Sequence, residues 1–313
     1  MLSSTRVKDL EKQGYRLVGN HSAIKVCDWS KQAIRCEGTC YKNTFYGINS
    51  HRCIQMTPSF CCNHRCQFCW RDIDFTQDKW KGEVDEPKAI VDGCIKAHIK
   101  YLQGFGGSSR KDSKRYMESL KPLHFAISLS GEPTLYPKLP ELIKEIHSRD
   151  MTSFLVTNGT NPDMLKKLLN HQPTQLYITL PAPDEETYKK VCKPLIKDGW
   201  NKIKESLKLL SKFTCRKAIR MTLVKDINMN NPEGYAKLLK DAKPDFIELK
   251  AYMWVGYSIE RLSIENMSRH PEIKEFAEKI VKLTDLKIID EKTNSRVVLL
   301  MKEDRKDRIM KFL

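Results

Sequence analysis

Three cysteines, Cys62, Cys66 and Cys69, stand in a C-x₃-C-x₂-C arrangement. Spacings this short bring three thiolates to one metal centre, and thiolates select zinc, copper(I) or iron–sulfur clusters. A structural zinc site normally has four protein ligands, whereas a four-iron cluster held by three cysteines keeps one iron open for chemistry. His64 or Cys61 could supply a fourth ligand, so a zinc knuckle is the alternative to the cluster.

A second cysteine set has a wider and regular spacing. Cys27, Cys40 and Cys53 recur every 13 residues, which is too wide for the paired cysteines of a zinc finger. The segment up to residue 50 has an irregular pattern rich in turn residues, so a long loop would have to fold back twice to bring these thiols together. The remaining cysteines are expected to be small buried hydrophobic side chains. They are Cys36, Cys61, Cys94, Cys192 and Cys215.

The length and net charge of the chain indicate what kind of partner and compartment to expect. The chain has 313 residues, with 55 Lys and Arg against 39 Asp and Glu, a net charge of +16. This excess favours a polyanionic partner such as nucleic acid, although a soluble basic protein without such a partner could share it. Residues 1–20 lack the apolar segment of a signal peptide, and no run is long enough to span a membrane. A cytoplasmic monomer without a membrane partner is expected, and in that reducing compartment clustered cysteines are more often metal ligands than disulfides.

The elements that position these residues alternate regularly. Six predicted strands with helices between them indicate a parallel sheet covered by helices. Right-handed crossovers would curl this sheet, so we expect an α/β fold built on an open partial (β/α)6 barrel. An extension at 1–51, a core at 52–255 and an addition of helix and hairpin at 256–313 would form one compact domain. The predicted strands of the core are 52–60, 124–129, 153–156, 176–180, 218–224 and 246–254.

Further polar motifs follow the predicted strands. In parallel β/α barrels the reactive residues collect at the C-terminal ends of the strands, and the cysteine loop follows the first one. Ser130, Gly131 and Glu132 follow the second strand, where a glycine permits close backbone approach and a carboxylate reaches the rim. Thr157 and Asn158 end the third strand. Other rim positions that could line a substrate pocket are 179–181, 222–224 and 248–254.

The cysteine loop, with Phe68 directly before its last cysteine, resembles the signature of the radical S-adenosylmethionine (SAM) enzymes. The resemblance implies that the three cysteines bind a four-iron cluster, whose open iron chelates SAM and whose electron cleaves SAM to a 5′-deoxyadenosyl radical. Gly131 and Glu132 are similar to the family motif that holds the SAM amino group, with Ser130 at the place of the usual second glycine. Thr157 and Asn158 are similar to the ribose and carboxylate contacts of the family.

The second cysteine set narrows this resemblance. A radical SAM core preceded by Cys27, Cys40 and Cys53 is similar to the tRNA 4-demethylwyosine synthases, in the short form without a fused flavodoxin domain. In that family the three upstream cysteines bind a second four-iron cluster, and the lysine two residues after the middle cysteine, here Lys42, acts on pyruvate. The implied reaction condenses N1-methylguanosine in tRNA with a two-carbon unit of pyruvate to give tricyclic 4-demethylwyosine.

The implied cofactors are two [4Fe-4S] clusters and SAM, and the implied partners are tRNA carrying N1-methylguanosine, pyruvate and an external electron donor of the flavodoxin or ferredoxin type. Two other functions remain open. Another radical SAM enzyme, such as a glycyl-radical activase, would need neither pyruvate nor tRNA. A zinc-containing RNA-binding protein would have no catalysis at all.

Basic loops and aromatic side chains could hold the RNA. Lysines and arginines bind phosphates in a salt-dependent manner, and aromatic rings stack on splayed bases. The aromatic candidates are Trp70, Tyr252 and Trp254. The basic candidates, of which the first group lies in a predicted flexible loop at 104–115, are Arg110, Lys111, Lys114, Arg115, Lys189, Lys190, Lys193, Lys197, Arg305, Lys306 and Arg308.

Overall fold

One ten-stranded sheet runs through the part of the chain that the computed structural model describes, residues 4–73 and 76–312. Its six central strands are parallel, and two antiparallel strands are added at each edge. In chain order the strands are β1 (Arg16–Val18), β2 (Ser22–Ile24), β3 (Cys53–Thr57), β4 (His124–Ile127), β5 (Thr152–Thr157), β6 (Gln175–Thr179), β7 (Arg216–Leu223), β8 (Phe246–Ala251), β9 (Lys287–Lys292) and β10 (Val297–Met301).

The strand order follows the chain, except that β10 lies between β8 and β9. Strands β3 to β8 are the parallel set, the hairpin of β1 and β2 pairs with β3, and the hairpin of β9 and β10 pairs with β8. The edge strands β1 and β9 do not pair with each other, so the sheet stays open. The predicted open partial (β/α)6 barrel with a C-terminal hairpin is confirmed.

Helices connect the strands, and those that follow the parallel strands cover the outer face of the sheet, whereas one short helix, Tyr41–Tyr46, packs on its inner face. None of them, over the described residues, has the length and apolar character that crossing a membrane demands. The helices are α1 (Ser4–Lys12), α2 (Asp28–Ile34), α3 (Tyr41–Tyr46), α4 (Pro87–Gln103), α5 (Ser113–Ser119), α6 (Leu139–His147), α7 (Pro162–Leu168), α8 (Glu185–Cys192), α9 (Gly199–Leu210), α10 (Pro232–Ala242) and α11 (His270–Lys282).

Two local predictions are wrong. The N-terminal segment is not irregular, because it contains α1, α2, α3 and the hairpin of β1 and β2, all short elements whose periodicity is weak. The predicted loop at 104–115 is three residues too long, because residues 113–115 already belong to α5. Asp112 caps that helix, since its carboxylate accepts a hydrogen bond from the Arg115 amide at 2.8 Å.

Alternate residues of each strand face the two sides of the sheet, and the two sides have different partners. On β7, Ile219 and Met221 belong to the large core beneath the outer helices, whereas Ala218 belongs to a second core inside the barrel. In that inner core Tyr41 and Phe45 of α3 pack on the inner face of the sheet. Helix α3 of the N-terminal extension therefore packs in the barrel interior.

Helix α3 lies at the end of the barrel where the parallel strands begin. The guanidinium of Arg216, the first residue of β7, is 5.5 Å from the ring centre of Tyr46. Phe246, the first residue of β8, contacts the same ring at 5.0 Å. The cysteine loop that follows β3 is at the opposite end, so the extension and the loop approach the interior from two sides.

Candidate active site

The cysteine loop is tied to the end of the neighbouring strand. The Thr57 hydroxyl hydrogen-bonds to the carbonyl oxygens of Ser59 and Ser130 at 2.7 and 2.5 Å, and the Glu132 amide donates to the Cys61 carbonyl oxygen at 2.6 Å. Gly131 has φ +65°, and a Cβ built there would lie 2.1 Å from the Ser59 carbonyl oxygen. A side chain at this position is therefore excluded by both space and backbone conformation.

The other side of the loop rests on the last turn of α8 and on the segment that follows it. The Gln67 amide donates to the Val191 carbonyl oxygen, and the Leu195 amide donates to that of Asn63, both at 2.9 Å. The Arg261 guanidinium donates to the carbonyl oxygens of Cys69 and Gln67. These contacts hold the backbone of the loop at the C-terminal ends of the strands, which is where its position after β3 predicts it.

The three thiols of the loop are buried and interact electrostatically. Burial, then the charges of Cys66 and Glu132, raise the pKa of the Cys62 thiol well above its ordinary value. A hydrogen bond with Cys192, followed by burial, raises the pKa of Cys66 in the same direction. Such thiols need a cation to become thiolates, and coordinated iron supplies that charge. The donor set fits a thiolate-bound cluster.

The close ligand atoms at the loop include some from outside the cysteine triad. Sulfurs that bind one tetrahedral zinc at about 2.3 Å lie roughly 4 Å apart. Among the described residues, neither cysteine triad has its three sulfurs within 4.8 Å of one another. The ligand atoms that do come so close belong to His64, Cys66 and Cys192, and His64 also hydrogen-bonds the Tyr188 hydroxyl at 2.7 Å. The prediction that Cys192 is only a buried hydrophobic residue therefore omits its contact with the loop.

Glu132 connects the two polar motifs of the rim. Its buried Oε1 accepts hydrogen bonds from the Thr134 hydroxyl and the Thr157 hydroxyl, both at 2.6 Å, and from the Thr134 amide at 3.1 Å. Its Oε2 accepts from the Asn158 amide at 2.7 Å. The two motifs are thus joined through one carboxylate, and Oε2 retains the capacity to accept another donor. Their contacts with SAM stay a prediction.

Two residues that the sequence did not single out complete this network. The Asn63 side-chain nitrogen donates to the Thr160 hydroxyl at 2.8 Å, and its Oδ1 accepts from the Asn158 side-chain nitrogen at 2.8 Å. Asn63 is therefore held between the cysteine loop and the end of β5. Its place between two predicted metal ligands is a signal that could have identified it.

The second cysteine set also comes together. Cys27 and Cys40 directly precede α2 and α3, and Cys53 begins β3. Burial raises the pKa of Cys27 to about 11 and that of Cys53 to about 12, and in both cases the charges of the other cysteines add to the shift. The chain does fold back twice, through two short helices instead of a loop. These buried thiols, like the first set, suit a thiolate-bound cluster.

Lys42, in the first turn of α3, extends into the same interior. Its Nζ lies 5.3 Å from the ring centre of Phe154 and 4.8 Å from that of Tyr177, on the inner faces of β5 and β6. It has neither an ion pair nor a hydrogen-bond acceptor among the described residues. Burial, then the positive charge of Arg220, lower the pKa of its ammonium group. A lowered pKa makes the neutral amine, which is a nucleophile, easier to form than it is for a lysine in water.

A charged network lies beside Lys42. Glu248 of β8 is fully buried, and its carboxylate accepts from the hydroxyls of Tyr41 at 3.0 Å and Tyr46 at 2.7 Å. Arg220 of β7 pairs with the same carboxylate at 3.1 Å. Lys250 lies near the Tyr41 ring and donates to the Ser295 carbonyl oxygen at 2.8 Å. The sequence indicated only the range 248–254 as rim. The other members of this network could not be identified from the sequence, because they meet only when α3 packs against the sheet.

The basic and aromatic candidates are divided between the two ends of the barrel. Lys190 and Lys193 lie beside the cysteine loop, since the Gln67 side chain donates to the Lys190 carbonyl oxygen. The groups at 110–115 and 305–308 lie at the opposite end, where Arg115 donates to the Ala33 carbonyl oxygen and Arg216 to that of Asp307. Only the group at 189–197 is therefore near the rim.

Two of these candidates are not available as the sequence predicts. Tyr252 is buried, and its hydroxyl donates to that of Ser258 at 2.9 Å, so its ring cannot stack on a base. Arg308 is largely buried and pairs with Asp304 and Asp290. Trp254 remains partly exposed at the rim, next to β8.

Comparison with known proteins agrees with this geometry. The family model described as radical SAM superfamily matches residues 56–239, and the one described as wyosine base formation matches residues 241–302. The S-adenosyl-L-methionine-dependent tRNA 4-demethylwyosine synthase of Pyrococcus abyssi is 48% identical over 298 residues, which are 94% of this chain and 87% of the relative. The Methanocaldococcus jannaschii enzyme of the same name is 41% identical over 316 residues, covering 98% of both proteins.

A solved structure of TYW1 with a lysine-pyruvate adduct bound is similar to this one with a TM-score of 0.89. The two are 39% identical in sequence over 99% of this chain and 100% of that chain. With identities this high over whole chains, the non-catalytic zinc protein and the glycyl-radical activase are both set aside. The chain is an enzyme and belongs to the tRNA 4-demethylwyosine synthase family of radical SAM enzymes.

Proposed function

We propose that this enzyme condenses N1-methylguanosine in tRNA with a two-carbon unit of pyruvate and thereby forms 4-demethylwyosine. The observation that carries the proposal is the position of Lys42, whose ammonium lies inside the barrel without an ion pair among the described residues. A half-buried amine beside another cation is suited to attack a ketone. The TYW1 structure with a lysine-pyruvate adduct supports the same chemistry here.

Cys62, Cys66 and Cys69 would hold the first cluster, and Cys27, Cys40 and Cys53 would hold the second. When bound, the first cluster reduces SAM and so supplies a 5′-deoxyadenosyl radical at the rim. The side chains of the protein would bind SAM, bind pyruvate and accommodate the N1-methylguanosine base.

Glu132 is suited to the SAM amino group because its Oε2, among the described residues, accepts one hydrogen bond, from the Asn158 backbone amide. The Asn158 side chain, oriented by Asn63, would contact the ribose or the carboxylate of SAM. Thr157 acts through Glu132, to which its hydroxyl donates. Ser130 and Gly131 contribute backbone that approaches the cysteine loop closely.

Lys42 would add through its amine to the keto carbon of pyruvate. A carbon–nitrogen bond forms, the keto oxygen leaves as water, and the product is an imine that keeps the carboxylate. Its location fits a reaction with a radical made at the rim. Phe154, which Lys42 contacts, is three residues before Thr157 on β5, a separation of about 10 Å along a strand.

The base of N1-methylguanosine would enter from the rim, because an enzyme that acts on a base must take it out of its stack. The lysines at 189–197 are placed to bind the flanking phosphates. An external electron donor, of the flavodoxin or ferredoxin type, would reduce the cluster. A tRNA substrate and reduced thiols are both in keeping with a cytoplasmic enzyme that works as a monomer.

The test uses anaerobically reconstituted protein with SAM, a reductant and tRNA carrying N1-methylguanosine, with and without pyruvate. Mass spectrometry follows 5′-deoxyadenosine and the tricyclic nucleoside. The tricycle should form only with pyruvate, and Lys42→Met should abolish it while 5′-deoxyadenosine still forms. Lys250→Met is the matched control, because Lys250 lies in the same interior but its ammonium is bound to Ser295. Deoxyadenosine without any tricycle in the unmodified enzyme would refute the substrate assignment.

A further inference from the structure

One terminal nitrogen of the Arg220 guanidinium, near Lys42, makes no hydrogen bond to the described part of the protein. The position of Arg220 on the inner face of β7 is in register with Thr179 of β6 and Glu248 of β8. Its side chain is 18% exposed, whereas the Glu248 side chain is 0% exposed. The guanidinium therefore extends from a buried carboxylate toward accessible space in the barrel.

One edge of this guanidinium is fixed by the protein. Nε donates to Glu248 Oε2 at 3.1 Å, and Nη2 contacts the same oxygen at 3.1 Å and the Tyr41 hydroxyl. Nη1 has no hydrogen-bond partner among the described residues. This nitrogen is also not fully buried. A guanidinium has five N–H donors, so the two on Nη1 remain for a ligand.

Arg220 and Lys42 approach the same aromatic ring. The central carbon of the guanidinium and the Lys42 Nζ each lie 4.8 Å from the ring centre of Tyr177. A small molecule attached to Lys42 would thus be within reach of Arg220. Two cations beside one ring also form a site that favours an anion.

Arg216, four residues earlier on the same face of β7, shows that this free edge is not a general feature of the barrel. Its Nε donates to Gln175 at 3.1 Å, and its two terminal nitrogens donate to the carbonyl oxygens of Asp307 and Arg308 at 2.8 Å. All three of its nitrogens are engaged by the protein, so its role is structural.

We propose that Arg220 binds the carboxylate of the 2-oxo acid that reacts with Lys42, through a charge-assisted hydrogen bond from Nη1. This inference rests on the proposed function. A 2-oxo acid carries its carboxylate on the carbon next to the ketone, so anchoring the carboxylate presents the keto carbon to the Lys42 amine. Arg220 then selects 2-oxo acids over neutral ketones, while Glu248 and Tyr41 position the guanidinium.

The experiment measures reductive trapping on the holoenzyme. The protein is incubated anaerobically with cyanoborohydride and either pyruvate or its neutral amide, pyruvamide, and the modified peptide containing Lys42 is quantified by mass spectrometry. The unmodified enzyme should trap pyruvate at lower concentrations than pyruvamide. Equal trapping of the two compounds would overturn the inference without any variant being needed.

The decisive variant pairs Arg220→Met with Glu248→Gln, so that no buried charge is left without a partner. The half-saturating pyruvate concentration should rise about 10- to 100-fold, the loss of one hydrogen bond to a charged group, while pyruvamide trapping stays unchanged. Arg216→Met is the control and should keep the preference for pyruvate. Glu248→Gln alone removes only the carboxylate that positions the guanidinium, so it should weaken the preference less than the double variant does. Arg220→Lys, which retains a charge for Glu248, should show an intermediate preference.

A double variant that keeps the full preference for pyruvate would overturn the role of Arg220. That failure differs from a failure of the proposed function, in which the unmodified enzyme gives no Lys42 adduct at all. If the double variant does not fold, as judged by circular dichroism and iron content, Arg220→Lys decides the matter. An unchanged pyruvate-to-pyruvamide ratio in it would refute the inference.

Discussion

The two cysteine sets lie at opposite ends of the same parallel strands, and they are built in different ways. Cys62, Cys66 and Cys69 belong to one short loop after β3, whose backbone is held by β4, by the last turn of α8 and by the segment that follows it. Cys27, Cys40 and Cys53 come from the starts of two helices and a strand, and they meet inside the barrel. The first set is a local structure, and the second depends on the tertiary fold.

This difference suggests that the two cysteine sets serve different steps of the reaction. The loop is beside the two polar motifs that are predicted to contact SAM, whereas the second set is beside Lys42 and the charged network of the interior. Damage to the loop should therefore remove radical formation itself. Damage to the second set should spare radical formation and remove only the product. Four predictions test this contrast.

The largest effect is expected from the loop. Cys66→Ala removes one of three ligands to the cluster that would bind SAM, and Cys192 is the nearby thiol, so the variant is compared with Cys66→Ala combined with Cys192→Ala. Formation of 5′-deoxyadenosine should fall to background in an assay with SAM and reductant alone. Cys215→Ala, which changes a cysteine that belongs to neither set, is the control and should be active. Normal deoxyadenosine formation by Cys66→Ala would contradict the assignment.

The second set should give a separable loss. Replacing Cys27, Cys40 and Cys53 together by Ala should remove about half of the iron, because each cluster would have three cysteine ligands. SAM cleavage should persist in part, while the tricyclic nucleoside disappears. Iron content is measured after anaerobic reconstitution. An unchanged iron content would mean that these cysteines bind no metal. The proposal that each end of the barrel holds its own cluster would then be wrong.

A third prediction concerns the contact between the loop and β4. Gly131→Ala places a Cβ against the Ser59 carbonyl oxygen in a left-handed backbone conformation, which by itself costs about 1–2 kcal/mol. The free energy of unfolding should fall by at least that amount in denaturant titrations, and the loop should retain less iron. Gly107→Ala is the matched control, since a Cβ there meets nothing within 4 Å. Equal stability of the two variants would show that the loop does not depend on this close approach.

The smallest expected effect is on tRNA binding, and it tests which end of the barrel contacts the RNA. Changing Lys190, Lys193 and Lys197 at the rim to Gln should weaken tRNA binding and lower the slope of log K against log salt by about 2, for three lost phosphate contacts. The same change at three exposed lysines near the strand starts should leave the slope unaltered. These control residues are Lys114, Lys121 and Lys306. Equal effects would indicate that tRNA covers both ends.

Much of the architecture follows from local patterns. The parallel strands were predictable because buried strands read as short apolar runs between helical segments. The N-terminal extension was not, since α2 and α3 have seven and six residues and show little periodicity. A helix that packs inside a barrel is also apolar where a surface helix would be polar, as Tyr41 and Phe45 illustrate.

The candidate site divides in the same way. Motifs of adjacent residues, such as Gly131 with Glu132, could be assigned from the order of the chain, because parallel strands bring their C-terminal ends to one edge. Tyr252 was assigned wrongly, since rim position alone does not reveal that a side chain is buried. Arg220 in the run Arg-Lys-Ala-Ile-Arg-Met-Thr-Leu had a signal, a charge in the middle of an apolar strand, but not a partner.

By itself, the sequence determined the spacing of the cysteines, the order of the rim motifs and the alternation of strands and helices, because each depends on neighbours in the chain. Only the tertiary structure decided which residues share the barrel interior. Lys42, Tyr177 and Arg220 lie more than 40 residues apart in sequence, and Tyr177 brings the two cations together. Contacts between such distant residues arise from the curvature of the sheet and the packing of α3, and no local pattern encodes them.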